Sequence, residues 1–320
     1  MFRIRIQNKK KCIWYCSAVV SFLLFLLLLG WTNHLANTQD AQQMAGRWSE
    51  KKDVAQISCF FSSKAEVTED TIQSFEYSLK NVLQEASITE TSENPSARLW
   101  VDAYSADGKI TLVNGKNTLD ANAIGIGGDF FMFHPLKLIT GSYFSGNDLM
   151  QDYCIIDQDA AWQLFGSNDV VGMTVYIGNV PHIVTGVVQR PDSRMDKAAG
   201  LNSTVVYVSY ETLSAYGTNN GINHYEIVMP NPVDEFAYSK VKEGIGIDEK
   251  NVEIVENSRR YSLPNRIKTI LAFGTRSMNG KAIIYPYWEN LARGYEDIIA
   301  LLTVFMPVSY THLRAHETVL

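Results

Sequence analysis

The stretch WQLFGSNDVVGMTVYIGNVPHIVTGVV, Trp162 to Val188, sets Gly166, Gly172, Gly178 and Gly186 among apolar residues. Glycines spaced like this either cradle a phosphate or punctuate a backbone, and their neighbours decide which. Asp157 is a natural helix cap, and Ala161, Leu164 and Phe165 repeat at three- and four-residue steps. A helix therefore runs up to Gly166, which stands where a left-handed C-cap residue is wanted. After SNDVV, Met173 to Ile177 alternates as a strand, Gly178-Asn179 is a two-residue hairpin pair, and His182 to Val188 is the return strand. Within it Gly186 reads as a bulge or a close backbone approach. A phosphate loop needs successive glycines between a strand and the N-terminus of the next helix, and here the helix comes first. These glycines turn a chain.

Both flanks of this helix and hairpin read as strand, helix, strand. Upstream, Ala55 to Phe61 is a strand, and Thr68 caps a helix with Val67 and Ile72 at its staple positions. The apolar stripe of that helix is Ile72, Phe75, Leu79, Val82 and Leu83. Leu99 to Tyr104 is the next strand, expected to turn at Asp107-Gly108 into Lys109 to Val113. Downstream, Tyr225 to Met229 leads to a helix opened by Asn231 with Pro232 in its first turn. Val233, Phe236, Ala237 and Val241 share one face of it, and Val252 to Val255 closes the unit. The expectation is an α+β fold: a discontinuous α/β part of two βαβ units, about 50–114 and 206–260, carrying a β-rich insert of about 115–205. A stalk of about 261–297 follows.

Residues 1–11, MFRIRIQNKKK, carry Arg3, Arg5, Lys9, Lys10 and Lys11 with no acid, and Cys12 to Trp31 then runs 20 residues without a charge. At about 1.5 Å per residue that run spans roughly 30 Å, the hydrocarbon thickness of a bilayer. A cleaved leader also begins basic and then apolar, but its apolar core is only ~7 to 15 residues, and WTNHLANTQDA offers no A-x-A site. The expectation is an uncleaved membrane helix over 12–35. The five basic residues before it put the N-terminus in the cytoplasm and the body, 36–297, outside. From Ala36 to Asp297 the chain holds 22 basic and 33 acidic residues with no basic stripe, which argues against nucleic-acid binding.

Catalytic and ligand motifs fail on spacing. GTRSMNGKA, Gly274 to Ala282, sets its glycines six apart where a P-loop has five, and Ala282 replaces the hydroxyl that would hold magnesium. IGIGG, Ile124 to Gly128, lacks the dinucleotide spacing, and G-x-S-x-G and H-E-x-x-H are absent. His34, His134, His182 and His224 have no acidic partner at helical spacing and read as surface or satisfied core residues. Asp148, Asp152, Asp157 and Asp159 miss the calcium-loop pattern and read as a solvated loop with turn and cap roles. Cys12 and Cys16 lie in the apolar run. Cys59 and Cys154 are expected as two buried thiols, with a disulfide between them as the alternative. No catalytic residue, cofactor site or metal site is expected, and the chain reads as no enzyme.

Two runs, IGIGGDFFMFHPLKLITGSYFSGNDL from Ile124 and YCIIDQDAAWQLFGSNDVVGMTVYIGNVPHIVTGVV from Tyr153, resemble the extracytoplasmic core domain of MacB-like ABC transporter permeases, within the broader FtsX-like group. The shared pattern falls on Gly128, Phe130, Phe131, Leu138, Gly141, Phe144, Ala160, Leu164, Phe165, Gly166, Gly172, Val175, Ile177 and Gly186-Val187-Val188. The resemblance implies an outer domain split into a discontinuous α/β part and an inserted β-rich part. It also implies one membrane helix before the domain and three after it, a permease dimer in the bilayer, and ATP bound by a separate or fused ABC ATPase. The implied role is a permease subunit coupling that hydrolysis to movement of the outer domain, for efflux or for mechanotransmission. An extracytoplasmic adaptor or a cell-wall hydrolase would be the further partner. The alternative is a secreted or membrane-anchored ligand-binding module with no transport role.

The last residues depart from this pattern. Ile298 to Val308 begins like a second membrane helix, 298–306, but Pro307 is expected to interrupt it, and Arg314 would cost about 2.5 to 3.5 kcal/mol at mid-membrane depth. Residues 307–320 are similar to a translated sequencing adaptor and read as foreign, which makes the chain a fragment of a longer permease.

Overall fold

The computed structural model describes residues 2–49, 53–89, 98–276, 278 and 280–317. The chain divides into two compact units, one of Met1–Gln39, Tyr261–Met278 and Ala292–Leu320, the other of Asp40–Arg260 and Asn279–Leu291.

The first unit is helical. Helix α1 (Phe2–Asn37) contains a 23-residue stretch, Tyr15–Asn37, long and apolar enough to cross a membrane, with a mean hydropathy of 2.0. The expected helix is therefore present and extends beyond both ends of its apolar core. The side chains of Arg3, Arg5, Lys9, Lys10 and Lys11 lie outside the described residues.

The second unit is built on strands. After the short α2 (Met44–Trp48) come β1 (Val54–Phe61), α3 (Glu69–Glu85), and the long hairpin of β2 (Val101–Asn114) and β3 (Asn117–Gly128). Then follow α4 (Phe130–Phe133), β4 (Lys137–Gly141), β5 (Tyr153–Asp157), α5 (Gln158–Phe165), β6 (Thr174–Ile177), β7 (Val180–Gln189) and α6 (Arg194–Ala199). The remainder is β8 (Val205–Ser209), α7 (Tyr210–Tyr216), the two-residue β9 (Thr218–Asn219), β10 (His224–Pro230), α8 (Phe236–Gly244) and β11 (Val252–Glu256). Two further helices, α9 (Leu263–Ala272) and α10 (Tyr287–Glu317), complete the chain.

The strands pair in the order β11-β1-β10-β2-β3-β8-β5-β7-β4. Within β11-β1-β10-β2 every neighbour is antiparallel, so β1 and β2 run parallel with β10 between them, and β10 and β11 run parallel with β1 between them. Each βαβ unit of the sequence is thus split by a strand of the other. Helices α3 and α8 cover one face, burying Ile72, Phe75, Leu79, Leu83, Ala237 and Val241 against Ile57, Cys59, Tyr225, Ile227 and Met229. Thr68 caps α3 by accepting from the Thr71 backbone N–H, and Val67 and Ile72 are both buried beside it, as a staple requires.

The other half closes on itself. β6 pairs with both β7 and β2, so β2-β3-β8-β5-β7-β6 forms a ring of six strands. Its core holds Ile110, Leu112, Cys154, Ile156, Val175, Ile177, Val184, Val187, Val206 and Val208, joined by Ala160, Ala161 and Leu164 of α5 and Leu213 of α7. The quoted stretch behaves as its glycines imply. Asp157 accepts from the Ala160 N–H, Gly166 is left-handed at φ 74°, and Gly178-Asn179 turns with φ of 57° and 67°, the primed geometry of a tight hairpin. At Gly186 both expectations hold together: the β5 pairing skips Thr185, and a Cβ on Gly186 would stand 2.9 Å from the Ser142 carbonyl oxygen.

Three local expectations are corrected. Asp107-Gly108 is no turn, for β2 runs through it and the hairpin turns after Asn114. Gly108 is small because β9 crosses there, with Thr218 O only 2.4 Å from where a Cβ would sit. The downstream helix starts at Phe236, not at Asn231: Glu235 is left-handed, Val233 is exposed, and Asn231 caps from a distance by accepting the Ala237 N–H at 3.0 Å. Pro307 does not stop α10, which continues to Glu317. A proline removes one helical hydrogen bond and bends the axis, but a helix with turns on both sides of it can persist.

Candidate functional site

Strand β10 carries the centre of the site. Its alternation sends Tyr225, Ile227 and Met229 to the helix-covered face and His224, Glu226 and Val228 to the opposite one. On β1 the same alternation sets Ser58 and Phe60 beside them, in register with Glu226 and His224. The third group comes from α4, whose first turn is Phe130–Phe133. The helix can extend no further because Pro135 restricts the residue before it, and His134 closes it by donating its N–H to Phe130 O at 2.9 Å.

His134, His224 and Glu226 converge here, each at most 3% exposed. His134 Nε2 stands 2.8 Å from Glu226 Oε2, and His224 Nε2 stands 3.5 Å from Oε1. Burial opposes ionisation of Glu226, yet the two imidazoles hold its carboxyl well below the usual carboxylate range. Burial pulls His134 the other way, toward its neutral form, against the attraction of Glu226. Aromatic rings wall the cluster. Phe60 stacks on His224 at 5.0 Å between centroids, Phe130 lies 4.5 Å from His134, and Trp288 lies 4.3 Å and 5.3 Å from the two imidazoles.

A hydrogen-bonded chain fixes the carboxylate from behind. Ser58 Oγ donates to Glu226 Oε1 at 2.5 Å, and Asn257 Nδ2 donates to Ser58 Oγ at 2.7 Å. Arg260 then donates to Asn257 Oδ1 at 3.1 Å and, with two nitrogens, to both oxygens of Glu289 at 2.6 and 2.7 Å. All five side chains are buried, and Ser58, Asn257, Arg260 and Glu289 find their partners within the protein. Three sealed donor atoms on two nitrogens and one carboxylate can hold a proton or a cation. They are closed to bulk solvent.

The sequence reading missed this meeting. His224 and Glu226 stand two apart on a strand, the spacing that puts side chains on one face, and helical spacing does not pair them. His182 is the satisfied core residue expected, with Nδ1 3.0 Å from Val180 O and Nε2 3.1 Å from Thr212 Oγ1. The aspartate cluster is not a solvated loop at its centre. Asp157 is 1% exposed, pairs with Arg190 at 2.5 Å and accepts the Val205 N–H at 3.1 Å, while Asp159 pairs with the same arginine.

The motif residues serve two cores. Phe130, Phe131 and Phe144 are buried together with Leu138 packed beside them, and Ala160 and Leu164 enter the ring core with Phe165 against it. Gly128, Gly141, Gly166 and Gly172 all adopt positive φ, and Gly141 pairs with Gly186. Cys59 and Cys154 are free and buried in different cores, and burial pushes the Cys154 thiol up to about 12. An open groove lined by Tyr238, Lys242, Glu249, Lys250, Glu253 and Lys281 holds two internal ion pairs, Lys242 with Glu249 at 2.8 Å and Lys281 with Glu253 at 2.9 Å.

Residues 22–250 match the family described as MacB-like periplasmic core domain. The macrolide export ATP-binding/permease protein MacB of Chromobacterium violaceum is 32% identical over 99 residues, 30% of this chain and 15% of that protein. Its counterpart in Pasteurella multocida is 30% identical over 98 residues, 30% of this chain and 14% of that protein. This chain therefore matches only a small part of the length of these relatives. The crystal structure of the periplasmic region of MacB from Actinobacillus actinomycetemcomitans covers 70% of this chain and 94% of its own at 18% identity, with a TM-score of 0.41. With 22–250 matched, this chain belongs to the family of the MacB-like periplasmic core domain.

Proposed function

We propose that the chain is a permease-type component of an ABC transporter, anchored in the cell membrane by α1 with its N-terminus cytoplasmic and its strand-built body outside. ATP is bound and hydrolysed by a partner subunit, and the permease works as a dimer. On this reading the stretch 281–297, which includes the start of α10, carries motion between the bilayer and the outer domain, whose α/β part is 50–114 and 206–260 and whose insert is 115–205. The output is export of a substrate or force passed to an adaptor or a cell-wall hydrolase.

The observation that carries the reading is the family match over 22–250 directly after an apolar helix of bilayer length. The basic residues ahead of that helix support the orientation.

Two measurements test it. Tyr77, exposed on α3, is replaced by cysteine and intact cells are treated with a membrane-impermeant maleimide. Labelling before lysis is expected, and labelling only after lysis would place the body in the cytoplasm. Cysteine crosslinks between 281–297 of two permease copies are then followed in a complex with the ATPase. Crosslinking that ignores nucleotide would remove the mechanical role.

A further inference from the structure

We propose that His134, His224 and Glu226 form a binding site for one divalent transition-metal ion of the zinc class, tying the end of α4 to β10. The proposal is independent of the transport reading.

The donor set suits such an ion. Two imidazole nitrogens and one carboxylate are the ligands of borderline-soft cations, and with bonds of about 2.0 to 2.2 Å a tetrahedral site spaces its ligand atoms roughly 3.3 Å apart. The three residues offer ligand atoms that lie within 4.8 Å of one another, and His134 Nε2 stands 2.8 Å from Glu226 Oε2, near that spacing.

Hydrogen bonding points the same way. His134 Nε2 and Glu226 Oε2 are buried and paired only with each other, at 2.8 Å, and His224 Nε2 has only the same carboxylate near it, with Oε1 at 3.5 Å. Two buried imidazole nitrogens that converge on one carboxylate are arranged as ligands to a shared ion are. The outer contacts of Glu226 and His224 are made. Ser58 fixes Glu226 Oε1 at 2.5 Å, leaving Oε2 for the ion, and Ser105 Oγ lies 3.3 Å from His224 Nδ1, orienting that ring so that Nε2 faces the carboxylate.

Charge gives a further reason. One carboxylate offsets a divalent ion in part, and imidazoles coordinate such an ion through neutral nitrogens. The aromatic wall of Phe60, Phe130 and Trp288 keeps water out, as it does around tightly held structural ions.

The test uses the whole chain in detergent, expressed with zinc chloride, with His312 and His316 replaced by glutamine to remove background, and passed over a chelating resin. About one zinc per chain is expected by elemental analysis, retained in His34→Gln and lost in His224→Gln and Glu226→Gln. X-ray absorption on the parent protein should show two imidazoles and light oxygen or nitrogen ligands. Cobalt substitution should give tetrahedral visible bands. A folded parent that holds no zinc, a zinc without imidazole scattering, or full zinc retention in folded His224→Gln would each overturn the proposal. If the variants do not fold, the absorption spectrum of the parent decides alone.

Discussion

Gly141 and Gly186 face each other across β4 and β7, and neither has room for a side chain. Gly141 sits at φ +86°, with the Thr185 carbonyl oxygen 2.1 Å from where a Cβ would be, and Gly186 backs onto the Ser142 carbonyl at 2.9 Å. Gly141→Ala should therefore destabilise the protein by about 1–3 kcal/mol, and Gly186→Ala by less, because its backbone is in an ordinary region. Urea unfolding of the two variants measures this, and an unchanged midpoint for Gly141→Ala would show that the two strands can separate without loss.

Arg260 and Glu289 meet with two short hydrogen bonds, each about 2% exposed in its side chain. Removing one partner strands a buried charge, so Arg260→Met or Glu289→Met should each cost about 3–5 kcal/mol, whereas the double replacement should recover most of the loss. A double-mutant cycle on unfolding free energies checks it. Additive losses would mean that the pair is not coupled.

Glu76 hydrogen-bonds to Asp102, and burial followed by the Asp102 charge raises its carboxyl from 4.5 to about 8. The folded state thus binds this proton more tightly than the unfolded chain does. The resulting stabilisation is full below about pH 4.5 and is lost as pH rises through 8. Glu76→Gln keeps the hydrogen bond without the proton, so its stability should fall less between pH 5 and 9, estimated as about the span over which the group titrates. Thermal unfolding across that range reads the difference, and parallel curves would refute the shared proton.

Asp157 holds three partners at once: the Ala160 N–H as helix cap, the Val205 N–H of β8, and Arg190. Asp157→Ala should cost about 2–4 kcal/mol, with Asp157→Asn retaining the cap and losing roughly half as much. Hydrogen exchange at Ala160 and Val205 tells cap loss from a global effect, since protection should fall at both amides first in the alanine variant.

Some features were legible because neighbours along the chain dictate them. The apolar run of α1, the Thr68 cap with its staple, the Asp157 cap, the Gly166 terminus and the Gly178-Asn179 hairpin all depend on residues within a few positions of each other. Within the motif pattern Gly166 ends its own helix, whereas Gly141 and Gly186 answer to each other across β4 and β7 and Gly128 to Asp102 on β2. Where the reading failed, the cause lay far off in sequence. Gly108 looked like a turn residue, yet its small size answers to Thr218 on another strand.

By itself the sequence determined the membrane-length helix, the strand-helix-strand units and the helix-hairpin insert, since caps, turns and periodicity act over one or two turns of chain. Only the tertiary structure decided that the two units interleave their strands, that β6 closes six strands into a ring, and that His134 joins His224 and Glu226. Strand order and side-chain convergence follow from burying all the apolar faces together, a condition on the whole chain that no short window of it contains.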